Sequence, residues 1–316
     1  MSTWEVRSEC TTGCAAHAVP RAPVTETARR CAAFVRAAGR ALRDGERMAE
    51  PARLRAHARA VLGAIGVRLV VETPGDTVGL TVPPARPPQA PAGFPAARPI
   101  GSPAVPRLGT LVVANHISWL DIPALLAVEP VTLLAKREVG GWPLVGALAR
   151  RAGTRFIDRD SPRQLPATVA ALTDLLRSGR SVAAFPQATT WCSVAYGAFR
   201  RATFQAALDA GAPVRPVTIA YEQEGLPSTV AGFLGDEEFL SSVRRVVGAR
   251  GLTVRVTVHP PLPPRPGTDR RALADLARAA VTGTAGEPVR PHASGRRPGR
   301  PEAGLLTTWQ GGGARS

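Results

Sequence analysis

The chain has 316 residues, enough for one large domain or two small ones, and 44% of them are apolar, so most of it is expected to fold. A formal charge of +16 would suit a nucleic acid or an anionic membrane, but the 39 arginines and single lysine are spread along the chain. No nucleic-acid-binding motif is present, so we expect no nucleic-acid partner. Four cysteines in a chain of this length do not indicate a disulfide framework and fit a reducing compartment.

The chain carries no recognisable targeting signal. No charged segment followed by an apolar run opens it, and no stretch of about 18 apolar residues follows. The expectation is a cytoplasmic protein, soluble or peripheral on the inner face of the cell membrane.

The N-terminal region is predicted to contain two amphipathic helices. Residues 1–23 show no periodicity and are expected to be disordered. Apolar residues then recur at helical spacing over 27–47 and 51–65, with arginines on the polar side of the first helix. Basic amphipathic helices in the region 24–66 can lie on anionic lipid or pack on the body of the protein, and the sequence leaves both open.

The region 67–282 alternates between strand-like and helical stretches after a Pro-rich linker at 74–102. The strand-like runs are 68–72, 110–114, 131–135, 154–158, 181–185, 214–220 and 253–259. The helical stretches are 122–128, 142–151, 165–177, 199–210, 236–247 and 270–281. This alternation predicts a single α/β domain with a mostly parallel central sheet flanked by helices. The tail 283–316, rich in Pro, Gly and Arg, is expected to be disordered.

A histidine and a carboxylate, His116 and Asp121, follow the apolar strand-like run at 111–114. On one regular helix, five residues would separate the two side chains by about 140°, so they could not face one site. A strand, a short loop and a helix with Asp121 as its N-cap would let the carboxylate fold back onto the imidazole and make its other nitrogen a better base. A surface pair or a simple helix cap is the competing interpretation.

A second group of chemically capable residues lies near the N-terminus. Cys10-x3-Cys14-x2-His17 has the spacing of half a metal site, but no second ligand pair in the sequence completes it. We therefore predict no metal ion.

The residues around His116 resemble the first motif of the glycerolipid acyltransferase family, which includes the 1-acylglycerol-3-phosphate acyltransferases. The matching pattern is Asn115-His116-x-Ser118-x-x-Asp121. In this resemblance His116 and Asp121 are the catalytic pair, and Asn115 and Ser118 belong to the substrate-binding set.

The family's second motif resembles Gly153-Thr-Arg-Phe-Ile-Asp-Arg159. The resemblance implies that Arg159 holds the phosphate of the acceptor, as a guanidinium can by forked hydrogen bonds. Lys136, in a segment similar to the family's Ala-Lys-x-Glu, would add a second positive charge. A solvated surface cation is the alternative for both.

The third motif departs from the family pattern Phe-Pro-Glu-Gly-Thr and here reads Phe185-Pro186-Gln187-Ala188-Thr189. The resemblance places Gln187, Ala188 and Thr189 in the substrate-binding set, with Gln187 and Thr189 completing the subsite for the acceptor phosphate. Gln187 keeps an acceptor oxygen but loses the negative charge, and we expect this to weaken binding of the acceptor by about tenfold. Ala188 in place of glycine matters if the backbone there needs a positive φ. The change indicates either weaker turnover or a different acceptor.

The fourth motif resembles Gly211-Ala-Pro-Val-Arg-Pro-Val-Thr-Ile219. The segment Gly197-Ala-Phe-Arg-Arg-Ala-Thr-Phe-Gln205 resembles the family's segment after the third motif, and this resemblance implies that Arg200 closes over the donor thioester as part of the substrate-binding set. The resemblance implies an O-acyltransferase of phospholipid biosynthesis that uses acyl-CoA or acyl carrier protein as co-substrate, without a cofactor. The implied partners are a lysophospholipid acceptor, or lyso-ornithine lipid, and an anionic membrane surface. A catalytically weak homologue that binds lipid or an acyl carrier is the second hypothesis, and Cys192 is expected to be a structural thiol.

Overall fold

The computed structural model of the chain describes residue 6 and residues 8–74, 79–83, 107–157, 162–194 and 197–283. Within these ranges the chain forms a mixed sheet whose strands, in chain order, are β1 (Arg68–Glu72), β2 (Leu111–Ala114), β3 (Thr132–Lys136), β4 (Arg155–Ile157), β5 (Val182–Ala184), β6 (Val214–Gln223), β7 (Leu226–Pro227) and β8 (Leu252–Val258). Their spatial order is β1-β8-β6-β2-β5-β3-β4, with β7 paired to the outer part of β6.

The middle of the sheet is parallel and buried on both faces. Every residue of β2 and β5 is buried, as their unbroken apolar sequences require when helices cover both sides of a parallel sheet. Strand β2 pairs in parallel with β5 on one side and β6 on the other, and β3 pairs in parallel with β4 and β5. Strand β8 runs antiparallel to β6 and parallel to β1. The prediction of a mostly parallel sheet flanked by helices is confirmed.

Helices cover this sheet. They are α1 (Val24–Arg43), α2 (Pro51–Ala64), α3 (Asp121–Val128), α4 (Pro143–Arg151), α5 (Leu165–Arg177), α6 (Ala202–Ala210), α7 (Phe239–Val247) and α8 (Arg270–Gly283). Short 3-10 segments lie at Thr12–Cys14, Gly45–Ala49, Arg137–Gly141 and Pro162–Gln164. No helix among the described residues combines the length and the apolarity needed to cross a bilayer.

Helix α1 ends earlier than its apolar pattern predicts, because Gly45 adopts a φ of +56° and the following residues continue as a 3-10 turn. Helix α2 then packs on α1 and α3, while α1 also contacts α4 and α7. The sequence left open whether these helices pack on the body of the protein or lie on lipid, and in the structure both pack on the body.

The segment before α1 follows the surface of the body, which corrects the expectation of disorder for the part of 1–23 that the structure describes. The backbone N–H of Ala16 donates to Thr229 Oγ1 at 3.1 Å, and that of Ala18 donates to Gln223 Oε1 at 2.6 Å. Cys10 is buried. Most of the linker and the tail, at 84–106 and 284–316, lie outside the described residues.

Candidate active site

The candidate site lies at the carboxyl-terminal edge of the central strands. Because β2 and β5 are parallel and in register, with Val113 beside Ala184, the loops that follow them emerge side by side. One loop carries His116 and the other carries Gln187. Ligands of open α/β sheets commonly bind at this edge.

His116 and Asp121 are in direct contact, as the sequence predicted. The distance from His116 Nδ1 to Asp121 Oδ2 is 2.8 Å, and the backbone N–H groups of Ile117 and Ser118 donate to the same oxygen at 2.7 and 2.9 Å. Asp121 is fully buried, whereas 20% of the His116 side chain is exposed. The carboxylate therefore orients the ring with a proton on Nδ1, which makes Nε2 the proton-accepting atom.

The local backbone differs from the prediction in one respect. Asp121 is the first residue of α3 and not its N-cap, which is Leu120. Its carboxylate turns back to the preceding N–H groups of the loop instead of capping the helix that follows. The loop between β2 and α3 is thus wrapped around this one carboxylate.

Tyr221 completes the arrangement, and the sequence analysis did not identify it. Its hydroxyl donates to Asp121 Oδ1 at 2.6 Å from strand β6, which lies beside β2. Burial, and then the charge of Asp121, raise the pKa of Tyr221 well above its usual value, so the phenol stays a donor. No local motif marks this residue, because it lies 100 positions from Asp121 in the chain.

Asn115 and Ser118 are fully buried and hold the backbone of the site, while the hypothesis that they bind substrate stays a prediction. The Asn115 side chain donates to the carbonyl of Ile219 at 2.9 Å and accepts from its N–H at 2.7 Å. It thereby joins the end of β2 to β6. The Ser118 hydroxyl accepts from the N–H of Leu120 at 3.2 Å and supports the loop from inside.

Gln187 is also buried and positions the His116 loop. Its Oε1 accepts the backbone N–H of His116 at 2.6 Å, so this oxygen is engaged by the His116 loop, and the role of Gln187 in the acceptor-phosphate subsite stays a prediction. The N–H of Trp191 donates to the His116 carbonyl at 2.8 Å, so the backbone N–H and the backbone carbonyl of His116 are both held by the loop after β5. The Phe185 ring stacks on the imidazole with centroids 4.1 Å apart.

Ala188 adopts the left-handed backbone conformation, with a φ of +63°. Replacing the family's glycine by alanine therefore has a cost here, because a Cβ strains this conformation by about 1–2 kcal/mol. Ala188 closes the turn of the third motif by donating its N–H to the Phe185 carbonyl at 3.1 Å.

An apolar cavity of about 380 Å³ opens beside His116. Lys136, Ala188 and Thr189 are among its lining residues, together with residues of α1, of the 3-10 segment that follows it and of α2, such as Met48 and Ala58. The Lys136 ammonium lies 3.5 Å from Glu138 Oε1 and its side chain is 38% exposed. The lining of the cavity thus includes the proton-accepting nitrogen of His116, the cation of Lys136 and a large apolar surface.

Two predicted site residues, Arg159 and Arg200, remain to be considered. Arg200 is exposed and does not line the cavity, although its N–H donates to the Pro186 carbonyl at 2.8 Å. Arg159 lies outside the described residues. Burial and the neighbouring thiols raise the pKa of Cys192 to about 12, which suits a structural thiol rather than a nucleophile.

Comparison with known proteins places these features in context. A family model described as Acyltransferase matches residues 100–220. A Lyso-ornithine lipid O-acyltransferase from Pseudomonas aeruginosa is 41% identical over 181 residues, which cover 57% of this chain and 69% of that protein. A 1-acyl-sn-glycerol-3-phosphate acyltransferase from Neisseria meningitidis serogroup B is 36% identical over 183 residues, covering 58% and 72%.

The fold has a counterpart among solved structures. The crystal structure of a 1-acyl-sn-glycerophosphate acyltransferase from Thermotoga maritima superimposes with a TM-score of 0.52 at 18% sequence identity. The match covers 82% of this chain and 93% of the other. At this identity the likeness describes the fold.

Proposed function

Because this chain belongs to the glycerolipid acyltransferase family and is an acyltransferase, we propose that it moves a fatty acyl group from a thioester donor to the hydroxyl of a lysolipid. The donor is acyl-CoA or acyl carrier protein, and 1-acylglycerol-3-phosphate is the first acceptor to consider. The observation that carries the proposal is the His116–Asp121 pair, which opens directly into the apolar cavity.

The proposed chemistry follows from the orientation of His116. Its Nε2 takes the proton of the acceptor hydroxyl while the hydroxyl oxygen attacks the thioester carbonyl carbon. The tetrahedral intermediate then collapses, the carbon–sulfur bond breaks, and the imidazolium returns the proton to the departing thiolate. Asp121 stabilises the imidazolium, and the four hydrogen bonds that it receives hold it in place during the cycle.

The cavity provides a place for the acyl chain, and Lys136 provides a charge for an anionic acceptor. Apolar side chains line most of the wall, and many of them belong to α1, α2, α3 and α4, so an alkyl chain would be removed from water there. Lys136 and Thr189 line the same cavity as His116, and their side chains could hold a headgroup phosphate there. Arg159 remains a proposed phosphate ligand on the strength of its motif.

Lyso-ornithine lipid is the second acceptor. It carries no phosphate, and the relative named for it shares 41% identity with this chain. The change of the family's glutamate to Gln187 does not decide between the acceptors, because this side chain is turned toward the His116 backbone.

A test measures acyl transfer from palmitoyl-CoA and from palmitoyl-acyl carrier protein to both acceptors, using wild type, His116→Ala and Gln187→Glu. We expect turnover by the wild type with one acceptor and a loss of about a hundredfold or more in His116→Ala. Circular dichroism and thermal melting serve as controls for folding. Equal activity of His116→Ala and wild type would overturn the mechanism.

The same assay separates an enzyme from a binding protein. If the wild type binds lysolipid tightly without turnover and Gln187→Glu restores transfer, the chain is the catalytically weak homologue that the altered third motif also allows. If wild type and Gln187→Glu turn over alike, Gln187 is a tolerated change whose role is to hold the His116 loop.

A further inference from the structure

Three cysteines converge in space although they are far apart in the sequence. Cys10 and Cys14 belong to the N-terminal segment, and Cys192 belongs to the loop that follows β5. Their sulfur atoms all lie within 4.8 Å of one another. His17, the third member of the sequence pattern, does not belong to this group.

The geometry is that of a soft metal site. A tetrahedral zinc ion bound at about 2.3 Å by thiolates places its sulfurs about 3.8 Å apart. Small shifts of the three cysteine side chains would bring their sulfurs to this separation. The spacing Cys10-x3-Cys14 falls in the range usual for paired zinc ligands. The N–H of Cys192 donates to the Cys10 sulfur at 3.4 Å, the kind of outer contact that stabilises a thiolate ligand.

We propose that Cys10, Cys14 and Cys192 together bind a thiophilic divalent metal ion of the zinc class. This assignment corrects the prediction of no metal site, which rested on the absence of a second ligand pair close in the sequence. The missing ligand is Cys192, 182 residues from Cys10. Three thiolates leave the fourth position of a tetrahedral ion for water or another donor.

The competing interpretation is that these are buried thiols acting as small apolar side chains. Cys10 and Cys192 are indeed buried and pack with Leu234. Apolar packing alone, however, does not require three sulfur atoms to lie together. These three come from two segments that are far apart in the chain and meet only in the tertiary structure.

The position of the site gives the ion a structural role next to the active site. Cys192 follows Trp191, whose N–H donates to the His116 carbonyl. The Thr190 hydroxyl in the same loop donates to the Phe233 carbonyl. A metal ion at the three sulfurs would therefore fasten the N-terminal segment to the loop that holds the catalytic histidine.

The first test uses the full chain, purified reduced and without chelators. Native mass spectrometry is expected to show about one zinc ion per chain. Cobalt(II) added to the metal-free, reduced protein is expected to give thiolate-to-metal charge-transfer absorption that saturates near one equivalent, and zinc should displace it. These measurements need no variant, so they hold even if a substitution impairs folding.

Variants then assign the ligands. Cys10→Ser and Cys192→Ser are expected to lose the cobalt signal, whereas Cys31→Ser, which changes the only cysteine outside the group, is expected to keep it. A chelator should lower the melting temperature of wild type and Cys31→Ser by several degrees and leave Cys192→Ser unchanged.

Two results would overturn the proposal. One is a reduced, folded wild type that contains no zinc and shows no thiolate absorption with cobalt. The other is a disulfide between any two of the three cysteines in protein isolated without oxidant, found by peptide mapping. Neither result bears on acyl transfer, so failure here is separate from failure of the proposed function.

Discussion

At the scale of single residues, the orientation of His116 depends on groups that do not line the cavity. Asp121 is buried, and Tyr221 supplies a donor to the oxygen that His116 does not use. Gln187 and Trp191 hold the backbone on either side of His116. The position of the imidazole is therefore set by residues on several elements, each fixed by the packing of the sheet.

Tyr221→Phe tests the role of the phenol as a positioning group. Removing the hydroxyl leaves a lone pair of a buried carboxylate unsatisfied, which destabilises the protein by about 1–3 kcal/mol. Because Tyr221 is buried and does not line the cavity, we expect kcat to fall about tenfold while KM changes less than about twofold. Steady-state kinetics and chemical denaturation measure the two effects. A KM effect with unchanged kcat would contradict this role.

Ala188→Gly tests the strain in the third motif. Glycine adopts a φ of +63° without a Cβ clash, although it gains freedom in the unfolded chain, so we expect the free energy of unfolding to rise by about 0.5–1 kcal/mol. Urea denaturation measures the change.

Glu224→Gly is the matched control, because Glu224 has a φ of +50° in the turn between β6 and β7, away from the cavity. We expect relief of backbone strain in both variants but a change in acyl transfer in Ala188→Gly alone. If Ala188→Gly destabilised the protein, the strain would not be the dominant effect of this alanine.

At the scale of secondary-structure elements, α1 and α2 form part of the cavity as well as covering the body. Leu54, Ala58 and Met48 from this region line it, and α2 rests on α3, the helix that begins at Asp121. The N-terminal helices are thus connected to the candidate site through the wall that would hold an acyl chain.

Ala58→Phe tests whether the cavity holds the acyl chain. The added ring fills space beside α2 at a strain of about 1–3 kcal/mol and should shift the preferred donor toward shorter chains. Ala60→Phe makes the same change on the exposed side of α2 and should leave the preference unchanged. Transfer rates from a series of acyl-CoA chain lengths measure it. Identical profiles for the two variants would place the acyl chain elsewhere.

At the scale of the whole molecule, the charge and the exposed apolar residues favour a membrane-facing surface on α1. Arg29, Arg36, Arg40 and Arg43 are exposed and fall on one side of the helix by their spacing. Val35 on the same helix is 68% exposed. An outward basic face with exposed apolar side chains is suited to anionic lipid, even though the inward face of α1 packs on the body.

Charge reversal tests this surface. We expect the double variant Arg36→Glu/Arg40→Glu to bind vesicles of phosphatidylglycerol and phosphatidylcholine at least about tenfold more weakly than wild type, because each cation near an anionic surface contributes about 1 kcal/mol. Arg270→Glu/Arg271→Glu changes the net charge equally on α8, which packs on α6 and β6, and should have a smaller effect. Co-sedimentation measures binding. Equal loss in both variants would indicate that net charge alone matters.

The sequence by itself determined the elements and the contact between His116 and Asp121. Apolar periodicity is a local property, so the strands and helices of the α/β domain lie close to their predicted positions, with ends shifted by glycines such as Gly45. The short spacing of His116 and Asp121, together with the ordered motifs, also sufficed to predict their contact. The glycine of the family at position 188 likewise indicated that the backbone there could have a positive φ, which would strain an alanine.

Only the tertiary structure decided which distant residues meet. Tyr221 reaches Asp121 because β6 pairs with β2, and Gln187 reaches the His116 backbone because β5 pairs with β2 on the other side. Cys192 meets Cys10 because the N-terminal segment folds over the loop after β5. Strand order and pairing depend on contacts between residues far apart in the chain, and these contacts cannot be predicted from local sequence.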